Sequence, residues 1–179
     1  MSLAKKTFWT DAALAGAVTG LMMVAFMYAQ AFAGPGGLNR TLDILEVVAF
    51  VCLIFYFSRR RSMRYSIQQG FSYGQSVGFI IVTMIFVGFL YGIGYYFLLS
   101  SVDPAMVERA IHEAMTGNPF ATPEAEALMR RWILSPVFWI FAMIIRMIVY
   151  GGILGLIISA FTRRNPDIFA DEHPHDDNE

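Results

Sequence analysis

The sequence predicts an all-α membrane protein, a four-helix transmembrane bundle with a short two-helix extracytoplasmic cap between helices 3 and 4. Composition points there first: 56% of the 179 residues are hydrophobic and only 15% are charged, against about 25% charged in soluble domains. The apolar residues fall into four blocks, over 12–33, 41–58, 76–99 and 135–161, each suited to a bilayer core of roughly 30 Å at about 1.5 Å per residue. The charges are segregated between those blocks, so their placement carries more information than the net charge of −1.

The first block follows Lys5, Lys6 and Trp9, an interfacial anchor. It is expected to be retained rather than cleaved as a signal peptide, because it continues as a long Gly/Ala-rich span and three more follow. Ala12, Gly16 and Gly20 fall four apart and form a small-residue stripe for close helix packing. Gly34-Pro35-Gly36-Gly37 then ends the helix in a short turn, so the second span returns antiparallel.

The second span ends in Arg59, Arg60, Arg61 and Arg64, a cluster read as topogenic and as a binding surface for anionic lipid. Asp43, near its start, is accounted for by the helix dipole and solvent. Glu46 lies deeper. Cys52, the single cysteine, offers neither a disulfide framework nor metal spacing and reads as a small lipid- or core-facing residue.

The stretch 65–75, polar but carrying Phe71 and Tyr73, suits a loop or short helix at the membrane surface. Gly70, Gly74 and Gly78 repeat every four residues into the third span, which also carries Gly88 and Gly92. Tyr91, Tyr95, Tyr96 and Phe97 at its far end read as an interfacial aromatic belt, with packing or a pocket lining as the alternative.

The cap occupies 101–134. Asp103-Pro104 and Thr122-Pro123 are helix-start signals. Met106, Val107, Ala110, Ile111, Ala114 and Met115 form one helical stripe, and Gly117 stops it. His112 falls on the polar side of that helix and reads as solvated.

Ser135-Pro136 opens the fourth span, with the serine as N-cap. It carries Gly151, Gly155 and Ser159 as another small-residue face and, near its middle, Arg146. A guanidinium at that depth costs at least about 2.5–3.5 kcal/mol on insertion scales and calls for compensation. Counted along the helices, Glu46 lies about 20 Å from the basic rim and Arg146 about 25 Å, so the two are candidates for an intramembrane polar pair. Such a pair would fix helix register or form a polar site for protons, an ion or an anionic group. Alternatively, Arg146 faces outward to a partner subunit or lipid headgroup.

Beyond Arg163-Arg164 and Asn165-Pro166, residues 167–179 form an acidic tail expected to be disordered, with His173 and His175 as loose terminal ligands at most. Four spans put both termini on one side. That side holds Lys5, Lys6, Arg59, Arg60, Arg61, Arg64, Arg163 and Arg164, and the other holds Arg40, Arg109, Arg130 and Arg131. The bias predicts both termini in the cytoplasm.

The motifs of nucleophilic catalysis, phosphate cradling and structural metal binding are missing, and no basic, aromatic surface suggests nucleic acid. No catalytic residue, metal or cofactor is expected. The reading is a non-enzymatic accessory or structural subunit that packs through its glycine faces as a homo-oligomer or within a larger complex. A small transporter or channel using Glu46 and Arg146 is the alternative.

Gly70-Phe71-Ser72-Tyr73-Gly74-Gln75-Ser76, Val102-Asp103-Pro104, Leu134-Ser135-Pro136 and the run Gly155-Leu156-Ile157-Ile158-Ser159-Ala160-Phe161 before Arg163 are the most distinctive motifs. In these the chain resembles a family of four-pass bacterial membrane proteins, a domain of unknown function common in Bacteroidetes and their relatives. The resemblance extends to about Pro166 and implies the fold and a bacterial inner-membrane location. It implies no activity.

Overall fold

The computed structural model describes residues 7–34, 36–66, 69–102, 104–116 and 122–166. They form α1 (Phe8–Ala33), α2 (Gly37–Ser62), α3 (Tyr73–Ser100), α4 (Pro104–Met115), α5 (Pro123–Ile133) and α6 (Pro136–Thr162). The four long helices each have the length and hydropathy to cross a membrane. At 26 to 28 residues they run about 40 Å, longer than the hydrocarbon core, so their ends stand in the interfacial zones. The tail at 167–179 and the Lys5-Lys6 anchor lie outside the described residues.

Helix α3 is central. It packs along α6 over most of its length and along α1 on its other side, while α2 rests mainly on α1. Met23, Phe50, Ile54, Ile80, Met84, Val87, Met147 and Ile158 make the main core, drawn from all four long helices. Ala12, Ala15 and Phe79 make a second cluster toward the start of α1.

Glycine lets α3 and α6 cross at backbone contact. A β-carbon on Gly88 would stand 2.5 Å from the Ile144 Cα, and one on Gly92 would stand 2.7 Å from the Ile140 Cα. The α3 and α6 backbones therefore meet directly, the geometry small residues allow in membranes. Gly16 and Gly20 face α3 at Phe86 and Leu90, Gly151 faces Met84, and Gly155 meets Ile80 at ordinary van der Waals distance. The packing role expected of Gly74 and Gly78 is not realised, because nothing lies within 4 Å of where their β-carbons would be. The phase of α3 is the reason: Ser76, Phe79 and Ile80 take the buried face, which leaves Gly74 exposed and Gly78 at its margin.

One end of the bundle is pinned by backbone. Phe71 and Arg164 exchange a pair of backbone hydrogen bonds at 2.8 and 2.9 Å, joining the start of α3 to the end of α6. Gly70 makes this possible: its φ is +62°, and a β-carbon there would lie 2.7 Å from the Arg164 carbonyl oxygen. Ser72 and Gln75 form a reciprocal capping box that starts α3 at Tyr73. The second half of the expected surface loop at 65–75 is thus a helix start, and the Tyr73 hydroxyl donates to the Leu156 carbonyl oxygen at 2.9 Å. At the opposite end α4 and α5 form the expected cap and contact each other, with α5 also touching α6. Ile111 and Met115 are buried beneath the cap, while Met106 stays exposed.

Candidate functional site: charges and hydroxyls within the bundle

Three polar groupings interrupt the apolar bundle. The first lies at the level where Glu46 and Arg146 were expected to meet. Glu46, half-buried on α2, accepts a 2.8 Å hydrogen bond from Gln30 Nε2 of α1. Arg146 is exposed, its guanidinium carbon 5.4 Å from the centroid of the Tyr150 ring one turn away on α6. Among the described residues no ion pair joins Glu46 to Arg146. The reason is helical phase. The buried stripe of α6 is Met143, Met147, Gly151, Gly155, Ile158, Ser159 and Thr162, which leaves residue 146 on the flank beside Ile145, Val149 and Ile153, all exposed. Half-buried Tyr91 of α3 lies within electrostatic reach of both charges. Tyr91 also packs against the main core, and Tyr95 lies 4.6 Å from the Trp139 ring.

The second grouping was not anticipated. Arg61, expected with its neighbours to face lipid headgroups, has a side chain only 1% exposed and is ion-paired to Asp11 of α1. Its guanidinium also donates to Thr7 Oγ1 at 3.0 Å and lies 5.4 to 5.9 Å from the ring centroids of Phe8, Tyr65 and Phe79. Arg64 binds the second Asp11 oxygen at 2.5 Å and remains partly exposed. The sequence did hold a signal. A hairpin turning near residue 35 sets residue 11 level with residue 59, so a carboxylate in the first turn of α1 faces the basic end of α2.

The third grouping joins three helices at the same end. Ser58 of α2, Ser76 of α3 and Thr162 of α6 are mutually hydrogen-bonded at 3.0, 3.2 and 2.8 Å, all buried. Ser62 and Ser159 place two more buried hydroxyls on the same helices, without a hydrogen-bond partner among the described residues. Periodicity alone does not select these residues, since serine and threonine are unexceptional in membrane helices. Among the described residues there is no group of three or more His, Cys, Asp or Glu that could hold a metal. Cys52 and His112 are both exposed.

Four long apolar helices and an intramembrane set of charges and hydroxyls define a multi-pass integral membrane protein in contact with the lipid bilayer. The sequence model of the family described as "Protein of unknown function (DUF4199)" matches residues 14–164, and the chain belongs to that family. No curated protein and no solved structure matches the chain. The match runs from nearly two turns inside α1 to the Phe71–Arg164 bridge and so covers the bundle and cap except for the start of α1.

Proposed function

We propose that the protein is a non-enzymatic membrane subunit whose exposed α6 face docks an acidic membrane partner through Arg146. In this reading it sits in a bacterial inner membrane with the Arg59–Arg64 end in the cytoplasm, the side favoured by its excess of positive charge. The single observation behind the docking role is the position of Arg146: near mid-helix, exposed, flanked by Ile145, Val149 and Ile153, and in no ion pair among the described residues. A cation on such a face is costly in lipid, and a carboxylate on a partner helix would relieve that cost. Tyr150 offers only a cation–π contact, worth less than a charged partner at that depth.

The test is cross-linking in native membranes. With Cys52 changed to serine, a photo-cross-linker placed at Val149 is expected to capture a discrete partner, or a second copy. Capture should fall at least tenfold in Arg146→Leu and recover in part in Arg146→Lys. Equal capture by the leucine variant sinks this reading.

A second reading, a small transporter or channel, draws on Gln30, Glu46, Tyr91 and Arg146 as polar groups from α1, α2, α3 and α6 in one region. It predicts that the purified protein in liposomes conducts ions or solute and that Glu46→Gln abolishes flux without altering folding.

A further inference from the structure

We propose that the basic end of α2 holds the phosphodiester of one anionic phospholipid, seated by Arg60 and Arg64 over an apolar wall from α1, α2 and α3. The pocket there has two halves. Arg60, Arg61 and Arg64 face it together with Asp11, three cations against one carboxylate, a formal charge of +2. Leu14, Phe57 and Phe79 line it as well. Leu14 is one helical turn from Asp11 toward the middle of the bundle, and half of it is exposed. A cationic rim at the helix end with an apolar wall one turn deeper matches a glycerophospholipid, whose phosphate sits above its acyl chains.

The three arginines are not equivalent. Arg61 is held by Asp11, Thr7 and three aromatic rings and is buried, so it supports the site without reaching a ligand. Arg64 gives one N–H to Asp11 and remains 38% exposed, with donors to spare from a guanidinium that carries five. Arg60 is exposed and makes no ion pair among the described residues. Arg59, also exposed, does not line the pocket. Asp11 is shared by Arg61 and Arg64, and among the described residues Arg60 and Arg64 keep N–H donors without a carboxylate, which a phosphate oxygen can meet. Charge-assisted bonds of this kind are the stronger class.

The experiment uses the full chain in nanodiscs of phosphatidylcholine containing phosphatidylglycerol, released into native mass spectrometry. The wild type is expected to retain one phosphatidylglycerol. Arg60→Gln, which removes no side-chain hydrogen bond or ion pair among the described residues, should weaken retention about fivefold, and Arg60→Gln with Arg64→Gln about 25-fold. Arg59→Gln should behave as the wild type, and millimolar inorganic phosphate should leave the lipid in place. Thermal unfolding in pure phosphatidylcholine discs checks that each variant is folded. Retention unchanged in Arg60→Gln overturns the proposal. So does an equal loss in Arg59→Gln, which would mean diffuse surface charge, or displacement by inorganic phosphate, which would mean a free-anion site.

Discussion

Arg61 and Asp11, fifty residues apart, form an ion pair, its guanidinium buried and its carboxylate partly so, that closes the α1–α2 hairpin where both helices leave the apolar zone. Such a pair is weak evidence of net stabilisation, since the guanidinium is desolvated and the carboxylate partly so, but losing Asp11 strands the buried Arg61. Arg61→Met or Asp11→Leu alone is therefore expected to cost about 3–5 kcal/mol of unfolding free energy, whereas the double variant should recover most of that loss. Reversible unfolding in mixed micelles measures all three. A double variant no more stable than the singles would mean that the rings and Thr7 around Arg61, rather than Asp11, hold this end together.

Glycine positions that look alike along the sequence should separate by experiment. Gly88→Ala and Gly92→Ala place a methyl group against α6 backbone and should force α3 and α6 apart, lowering thermal stability by several degrees. Gly74→Ala and Gly78→Ala meet open space and should be neutral, or stabilising by up to about 1 kcal/mol through helix propensity. Thermal unfolding of the four variants in one detergent makes the comparison.

Gly70→Ala tests the backbone bridge. The left-handed conformation costs a non-glycine residue about 1–2 kcal/mol, and the added carbon would also press on the Arg164 carbonyl. The variant is expected to lose slow amide exchange at Phe71 and Arg164 while the middle of α3 keeps its protection. Unchanged exchange at both amides would show that the bridge survives the strain.

The hydroxyl cluster should couple Ser76 to Thr162. A double-mutant cycle of Ser76→Ala and Thr162→Val is expected to give roughly 0.6 to 1.7 kcal/mol, the range measured for hydrogen bonds between membrane helices. A coupling near zero would mean that Ser58 re-pairs with whichever hydroxyl is left.

The fold was legible because its main determinant is local. A run of about 20 apolar residues states its own structure, since a spanning chain must satisfy its backbone internally. Ser135 before Pro136 and Thr122 before Pro123 marked helix starts, and both side chains accept hydrogen bonds from the first turn. The polar groupings were less legible because they depend on rotation and register between helices. Arg146 sits one residue before a buried methionine, a step of about 100° that turns it from the core to the flank. Arg61 reads like Arg59 and Arg60 along the sequence, and only the phase of α2 singles it out for burial. Asp11 falls just outside the apolar block that begins at residue 12, whereas α1 starts at Phe8 and includes it. Gln30, an amide within the apolar run of α1, meets Glu46 only once the hairpin is closed, so neither residue's sequence neighbours reveal the contact.

The direct backbone contact at Gly88 and Gly92 also bears on the order in which the protein is made. Helix α3 is synthesised before the cap and α6 after it, so the central helix waits in the membrane for its most extensive neighbour. At about 5–20 residues per second that wait lasts several seconds. Throughout it α3 presents a glycine groove shaped for a helix that does not yet exist. Any chain interrupted before residue 136 would keep that groove open permanently, offering membrane chaperones and proteases a mark of incompleteness that the finished bundle conceals.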